Sequence, residues 1–156
     1  MFGDLRELYQ EVILDHGKKP RNFRYPEDFT CEAAGNNPMC GDALMVYLKV
    51  DDKRMIRDVA FQGKGCAISV ASASMMTELL KDRSVDEAEA LFKAFHSMCT
   101  GEDDVADLLK PFDDDVAERL EMLSGVRQFP MRVKCATLAW HTMDAAVSGE
   151  QEITTE

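Results

Sequence analysis

"ALMVYLKVDDKRMIRDVAFQGKGCAISVASASMMTELLK", residues 43–81, changes its periodicity across one short glycine-containing joint, Gly63-Lys64-Gly65. Before the joint, residues 43–50 and 54–62 are short runs rich in Val, Ile, Tyr and Phe, separated by the charged turn Asp51-Asp52-Lys53. They read as two strands of an antiparallel pair. After it, Ile68, Ala71, Met75 and Leu79 recur at helical spacing, and the many Ala and Ser residues allow that helix to lie close on a sheet.

Working outward, residues 4–16 place Leu5, Leu8, Tyr9, Val12 and Ile13 on one helical stripe, ended by Gly17 and Pro20. Residues 21–40 are turn-rich and extended, with a third short strand expected near residues 28–34. Towards the C-terminus, Ser84 and Glu87 stand at capping-box spacing before a helix with the stripe Ala88, Leu91, Phe92, Phe95 and Cys99. Two acidic clusters follow, Glu102 to Asp104 and Asp113 to Asp115, with a short helix expected near residues 115–123. A last helix is expected over residues 133–147, and "SGEQEITTE" reads as a polar tail that frays. The expectation is one α+β domain over residues 1–148, a small antiparallel sheet of about three strands packed against several helices, with a flexible tail at 149–156.

Lys and Arg total 18 against 29 Asp and Glu, a formal charge of −11. Such a surface repels phosphate backbones and anionic lipid, so neither nucleic acid nor membrane is an expected partner. No apolar run reaches the roughly 18–20 residues that cross a bilayer, and "MFGDLRELYQ" contains acids and lacks a signal-peptide pattern. The expected location is the cytoplasm. Five cysteines, an odd number, suit reduced thiols or metal ligands better than a disulfide framework.

Cys40 follows Asn36-Asn37-Pro38-Met39 and precedes Gly41 and Asp42. In extended chain, positions i and i+2 face one side, so Cys40 and Asp42 could face one point. Cys66 and Cys135 each fall in the first turn of an expected helix, where unpaired N–H groups favour a negative sulfur. Lys64, Arg132 and Lys134 lie close to them in sequence. Three thiolates and a carboxylate suit Zn²⁺ or an iron centre. The spacing is not a zinc-finger pair, however, and loop and core cysteines that meet no metal are the simpler reading of the residues alone. Among the competing groups, His96 and Cys99 stand at i, i+3, but Cys99 sits on the apolar stripe. His141 lies about 240° around its helix from Cys135. His16 is at a helix C-terminus, and Cys31 has no neighbour in sequence to work with.

Three segments carry a resemblance. "NNPMCGD" (36–42), "GKGCAISVASASMM" (63–76) and "FPMRVKCATLAW" (129–140) are similar to the cysteine motifs of the IscU/SufU/NifU-type iron–sulfur cluster assembly proteins, and "LYQEVILDHGKKPRNF" (8–23) resembles that family's N-terminal helix and turn. The resemblance implies a SufE/NifU-like architecture and a metal or cluster site at Cys40, Asp42, Cys66 and Cys135. Two departures separate the chain from the IscU branch: Lys134 stands where that branch has His, and "QFPMRVK" stands where it has Leu-Pro-Pro-Val-Lys. With the long acidic stretch between Cys66 and Cys135, these features resemble the SufU branch. The implied role is that of a zinc protein accepting persulfide sulfur on Cys40 from a SufS-type cysteine desulfurase, at most a zinc-dependent sulfurtransferase. Downstream iron–sulfur assembly proteins would be its further partners. The alternative is a scaffold on which iron or a [2Fe–2S] cluster is assembled.

Overall fold

A computed structural model of the chain describes residues 2–100, 105–150 and 152–154. The two strands of the opening stretch are β2 (Asp42–Val50) and β3 (Ile56–Lys64), paired antiparallel from Ala43↔Lys64 to Val50↔Ile56. The third strand is β1 (Cys31–Asn37), antiparallel to β2 with Cys31↔Leu48 and Asn37↔Asp42 as end pairs. It sits a few residues later than the sequence suggests. The polar pair Asn36-Asn37 continues the ladder because Pro38–Gly41 make the turn, with Gly41 at φ 72°, a conformation that favours glycine.

Helix α1 (Phe2–Lys18) precedes the sheet, and α2 (Ala67–Leu80) and α3 (Val85–Thr100) follow it. The capping box at the start of α3 is reciprocal: the Glu87 N–H donates to Ser84 Oγ and the Ser84 N–H donates to Glu87 Oε1, both at 3.1 Å. Next come α4 (Val105–Leu109), α5 (Asp114–Ser124) and a 3₁₀ turn (Gly125–Gln128). The acidic cluster Glu102 to Asp104 lies outside the described residues. Helix α6 (Pro130–Val147) starts three residues before its expected position, with Pro130 in its first turn. Proline fits there because the missing N–H would have no helical partner.

The tail departs most from expectation. Glu152–Thr154 form β4, parallel to β1 through Ala34↔Glu152, Gly35↔Ile153 and Asn36↔Thr154. Ile153 packs partly buried against the core, which holds a segment whose composition reads as solvated. The fold is therefore α+β, with a small mixed sheet in the order β3-β2-β1-β4 and six α-helices among the described residues.

Helices α2 and α6 pack against each other and on the sheet, α6 on β1 and β2 and α2 on β3, while α1 packs on α2. Helix α2 is consequently buried almost all round, from Ala71 to Thr77 without a break. Its Ala and Ser residues make that possible. Ser72 Oγ donates to Ala136 O and accepts from Trp140 Nε1–H at 3.1 Å, and Ser74 Oγ meets His16 Nδ1 at 2.7 Å and the Arg21 N–H at 2.8 Å. Buried hydroxyls that find such partners avoid the penalty of an unpaired polar group. Around them, Trp140, Phe61, Phe95, Leu44 and Leu48 are fully buried.

Candidate metal centre

The hairpin turn, the β3–α2 joint and α6 meet at one end of the sheet. Cys40 is half-buried in the turn, its N–H donating to Asn37 O at 3.3 Å. Asp42, the first residue of β2, is fully buried. The pair does converge, although through a turn into a strand rather than along extended chain.

Cys66 is the N-cap of α2, with extended backbone and no side-chain cap. Its N–H donates to Asp42 Oδ1 at 2.9 Å. Gly65 makes that approach possible, since a Cβ there would stand 2.5 Å from Asp42 Oδ1. Cys135 differs from expectation. Because α6 begins at Pro130, Cys135 lies in the second turn, beyond the unpaired N–H groups of the helix start, and its Sγ–H reaches back to Met131 O at 3.9 Å. It is fully buried. Burial, followed by hydrogen bonds with Cys40, Asp42 and Cys66, pushes its thiol pKa far above the ordinary value. The helix N-terminus therefore cannot be what would ionise it.

The ligand atoms of Cys40, Asp42 and Cys135 all lie within 4.8 Å of one another. With metal–sulfur bonds of about 2.3 Å, neighbouring sulfurs of a tetrahedral site stand about 3.8 Å apart, the same scale as the spread of this trio. The Cys66 thiol contacts Cys135 but falls outside the close trio. Three thiols and a buried carboxylate form a donor set suited to a thiophilic divalent cation, whose charge would reverse the bias towards protonated sulfur. Of the three nearby basic residues, Arg132 engages the site. Its pKa is raised, chiefly by a hydrogen bond to Cys135 and further by the neighbouring Cys66 and Cys40. Lys64 is exposed, and Lys134 is half-buried.

The competing groups assemble differently. Cys99 is buried in the core, and its helix neighbour His96 instead meets His141 edge-to-face with ring centroids 5.6 Å apart, both rings also edge-to-face with Phe92. Cys31 Sγ–H points to Leu48 O at 3.9 Å, and burial raises its pKa. His16, expected as a helix-end cation, is buried against Ser74 with its pKa lowered by burial. Sequence reading passed over Asn37 and Gly65. Both stand inside the quoted motifs, and the signal for Asn37 was its place opposite Asp42 once a four-residue turn is assumed.

The NifU-like N terminal domain model matches residues 8–155. The chain belongs to this family. It is 39% identical over 150 residues to the zinc-dependent sulfurtransferase SufU of Bacillus subtilis strain 168, covering 96% of this chain and 95% of that protein. It is 38% identical over 143 residues to the iron–sulfur cluster assembly scaffold protein IscU of Streptococcus pyogenes serotype M1, covering 92% and 84%. Among solved structures, a SUF-system iron–sulfur cluster assembly scaffold protein from Fervidobacterium islandicum AW-1 superposes with a TM-score of 0.78 at 32% identity, covering 91% of this chain and 98% of that one. The NifU-like chain thus sits among iron–sulfur cluster assembly proteins of the SufU and IscU types. No helix among the described residues is long and apolar enough to cross a membrane.

Proposed function

We propose that this chain is a zinc-dependent sulfur acceptor of cytoplasmic iron–sulfur cluster assembly, with Cys40, Asp42, Cys66 and Cys135 as metal ligands and Cys40 as the residue that receives sulfur from a SufS-type cysteine desulfurase. The observation that carries it is the unequal anchoring of three thiols around one buried carboxylate. Cys135 is enclosed by α6 and the sheet. Cys66 has its backbone tied to Asp42. Cys40 stands on a turn flanked by exposed Met39 and by Gly41, where a partner's side chain can reach it.

When bound, Zn²⁺ supplies redox-inert stabilisation of thiolates at neutral pH. In the transfer itself, the Cys40 thiolate attacks the terminal sulfur of the desulfurase persulfide. A new S–S bond forms on Cys40, the S–S bond on the desulfurase breaks, and the desulfurase cysteine departs as thiolate with the electron pair. The exchange is redox-neutral and needs no further reactant. Arg132 offsets negative charge beside the thiols while this happens, and downstream iron–sulfur assembly proteins would take the sulfur.

The identity to a protein named as an IscU scaffold favours the second reading, assembly of a [2Fe–2S] cluster on the same residues. Metal analysis and absorbance of anaerobically purified protein, with a desulfurase assay, separate the two. A colourless protein with about one zinc per chain that accelerates cysteine desulfuration is the expected result. Visible cluster absorption with no zinc would replace the first reading by the second.

A further inference from the structure

Asn37 is fully buried at the last rung of the β1–β2 ladder, opposite Asp42. Its side-chain Nδ2 donates to Asp42 Oδ2 at 3.3 Å and to Cys135 Sγ at 3.6 Å, and its backbone carbonyl accepts the Cys40 N–H at 3.3 Å. One residue therefore touches three of the four candidate ligands, which come from a turn, a strand and a helix. Its Oδ1 has no hydrogen-bond partner among the described residues. Turning the amide over would set that oxygen against the Asp42 carboxylate, acceptor facing acceptor, and strip the sulfur of its donor. Leaving a buried acceptor unpaired is costly, and what it gains is two N–H bonds aimed into the site.

Resting on the metal reading above, we propose that Asn37 is a positioning residue of the centre. Its amide fixes the Asp42 carboxylate relative to the Cys135 sulfur, and its N–H withdraws electron density from that sulfur. Asp42 is then held from both sides, Oδ1 by the Cys66 N–H and Oδ2 by Asn37. The carboxylate enters coordination in one orientation, with no donor lost from either oxygen if it lets go. Outer hydrogen bonds of this kind typically govern metal affinity by about 10–100-fold.

The test uses Asn37→Asp, which keeps the shape but removes the donor, and Asn37→Ala. Asn36→Ala is the control, because Asn36 is the exposed neighbour on the same strand. Zinc affinity is measured by chelator competition, and the cobalt-substituted proteins by the thiolate-to-cobalt charge-transfer band. Zinc should bind at least about 10-fold more weakly in both Asn37 variants, with the band moved to longer wavelength as the sulfur loses its N–H donor. Asn36→Ala should match wild type in both measurements.

If the Asn37 variants lose thermal stability while affinity and band stay at wild-type values, Asn37 only closes the hairpin and the proposal is wrong. Should neither variant fold, ¹⁵N-labelled wild type loaded with ¹¹³Cd decides. Coupling between the metal and an Asn37 amide proton supports the proposal, and its absence overturns it. Wild type that binds neither zinc, cobalt nor cadmium sinks the metal reading itself, whereas normal wild-type binding with unaltered variants sinks the Asn37 role alone.

Discussion

Helix α6 carries two residues of metal-ligating type, Cys135 and His141, less than two turns apart, and their surroundings differ. Cys135 turns towards the end of the sheet, where it meets Cys40, Cys66, Asp42 and Asn37. His141 turns towards α3, where it meets His96 and Phe92 in edge-to-face ring contacts. Both groups draw on separate elements. The difference is that the first has a buried carboxylate held by two N–H donors, whereas the second has only edge-to-face ring contacts. Metal-ligating residue types in proximity are therefore not enough; a centre needs donor atoms aimed at one point and an outer layer that keeps them there.

The comparison breaks most decisively at the candidate cysteine ligands. Cys135→Ser should lose zinc beyond the roughly 10–100-fold cost of an outer hydrogen bond, because it removes the enclosed sulfur around which the others are arranged. Cys40→Ser should weaken zinc less and yet abolish sulfur uptake, read as added mass after incubation with desulfurase and cysteine. Full zinc in both Cys66→Ser and Cys135→Ser would show that the metal sits elsewhere. A persulfide mapped to Cys66 or Cys135 while Cys40 stays unmodified would reverse the roles of turn and helix.

How much of this was readable in the sequence depends on how local each cause is. The strands over 43–50 and 54–62 and the Ser84/Glu87 capping box were legible because each is decided within a few residues. Helix α6 begins three residues ahead of its expected start at 133 because Pro130 is itself a favoured first-turn residue. Strand β4 was missed because Glu152–Thr154 have no strand pattern of their own and are ordered by β1 and by burial of Ile153. For the centre, the residue types around Cys40, Asp42, Cys66 and Cys135 leave a metal site and ordinary cysteines both open, and only the family resemblance implies the first. Asn37 stands inside a quoted motif, but its significance rests on a register, Asn37↔Asp42, and on a helix almost a hundred residues away.

On the α3 side of the comparison the expected effect is smaller and of another kind. Cys99 is buried in the core with Leu91 and Phe95, so Cys99→Ala should cost about 1–2 kcal/mol of folding stability through the cavity it leaves. Denaturant unfolding measures that cost. Zinc content and sulfur uptake should stay at wild-type values. Parallel loss of zinc in this variant would mean that the histidine side of α6 is connected to the sulfur side.

The smallest effect is a pH dependence confined to the ring cluster. Burial lowers the pKa of His141 below its ordinary value, the nearby His96 lowers it further, and Asp144 opposes them. The unfolded chain, with histidine near its usual pKa of about 6.5, therefore takes up a proton at a higher pH than the folded chain does. Linkage then sets the sign: the neutral ring's contribution is fully present above about pH 6.5 and is lost as pH falls through the folded pKa. Proton competition for zinc-bound cysteines would also change the stability of zinc-loaded protein, so a single protein cannot separate the two. His141→Phe keeps a ring against Phe92 and His96 but cannot take a proton. Urea unfolding of zinc-loaded wild type and His141→Phe from pH 7.5 to 5.5 should show a shallower acid-side loss in the variant, with the two curves parallel above about pH 6.5. The ligand contribution is common to both proteins and cancels in the difference. Parallel curves across the whole range would show that His141 does not titrate as a buried base. The ring cluster would then differ from the sulfur site only in shape, and not in the charge it excludes.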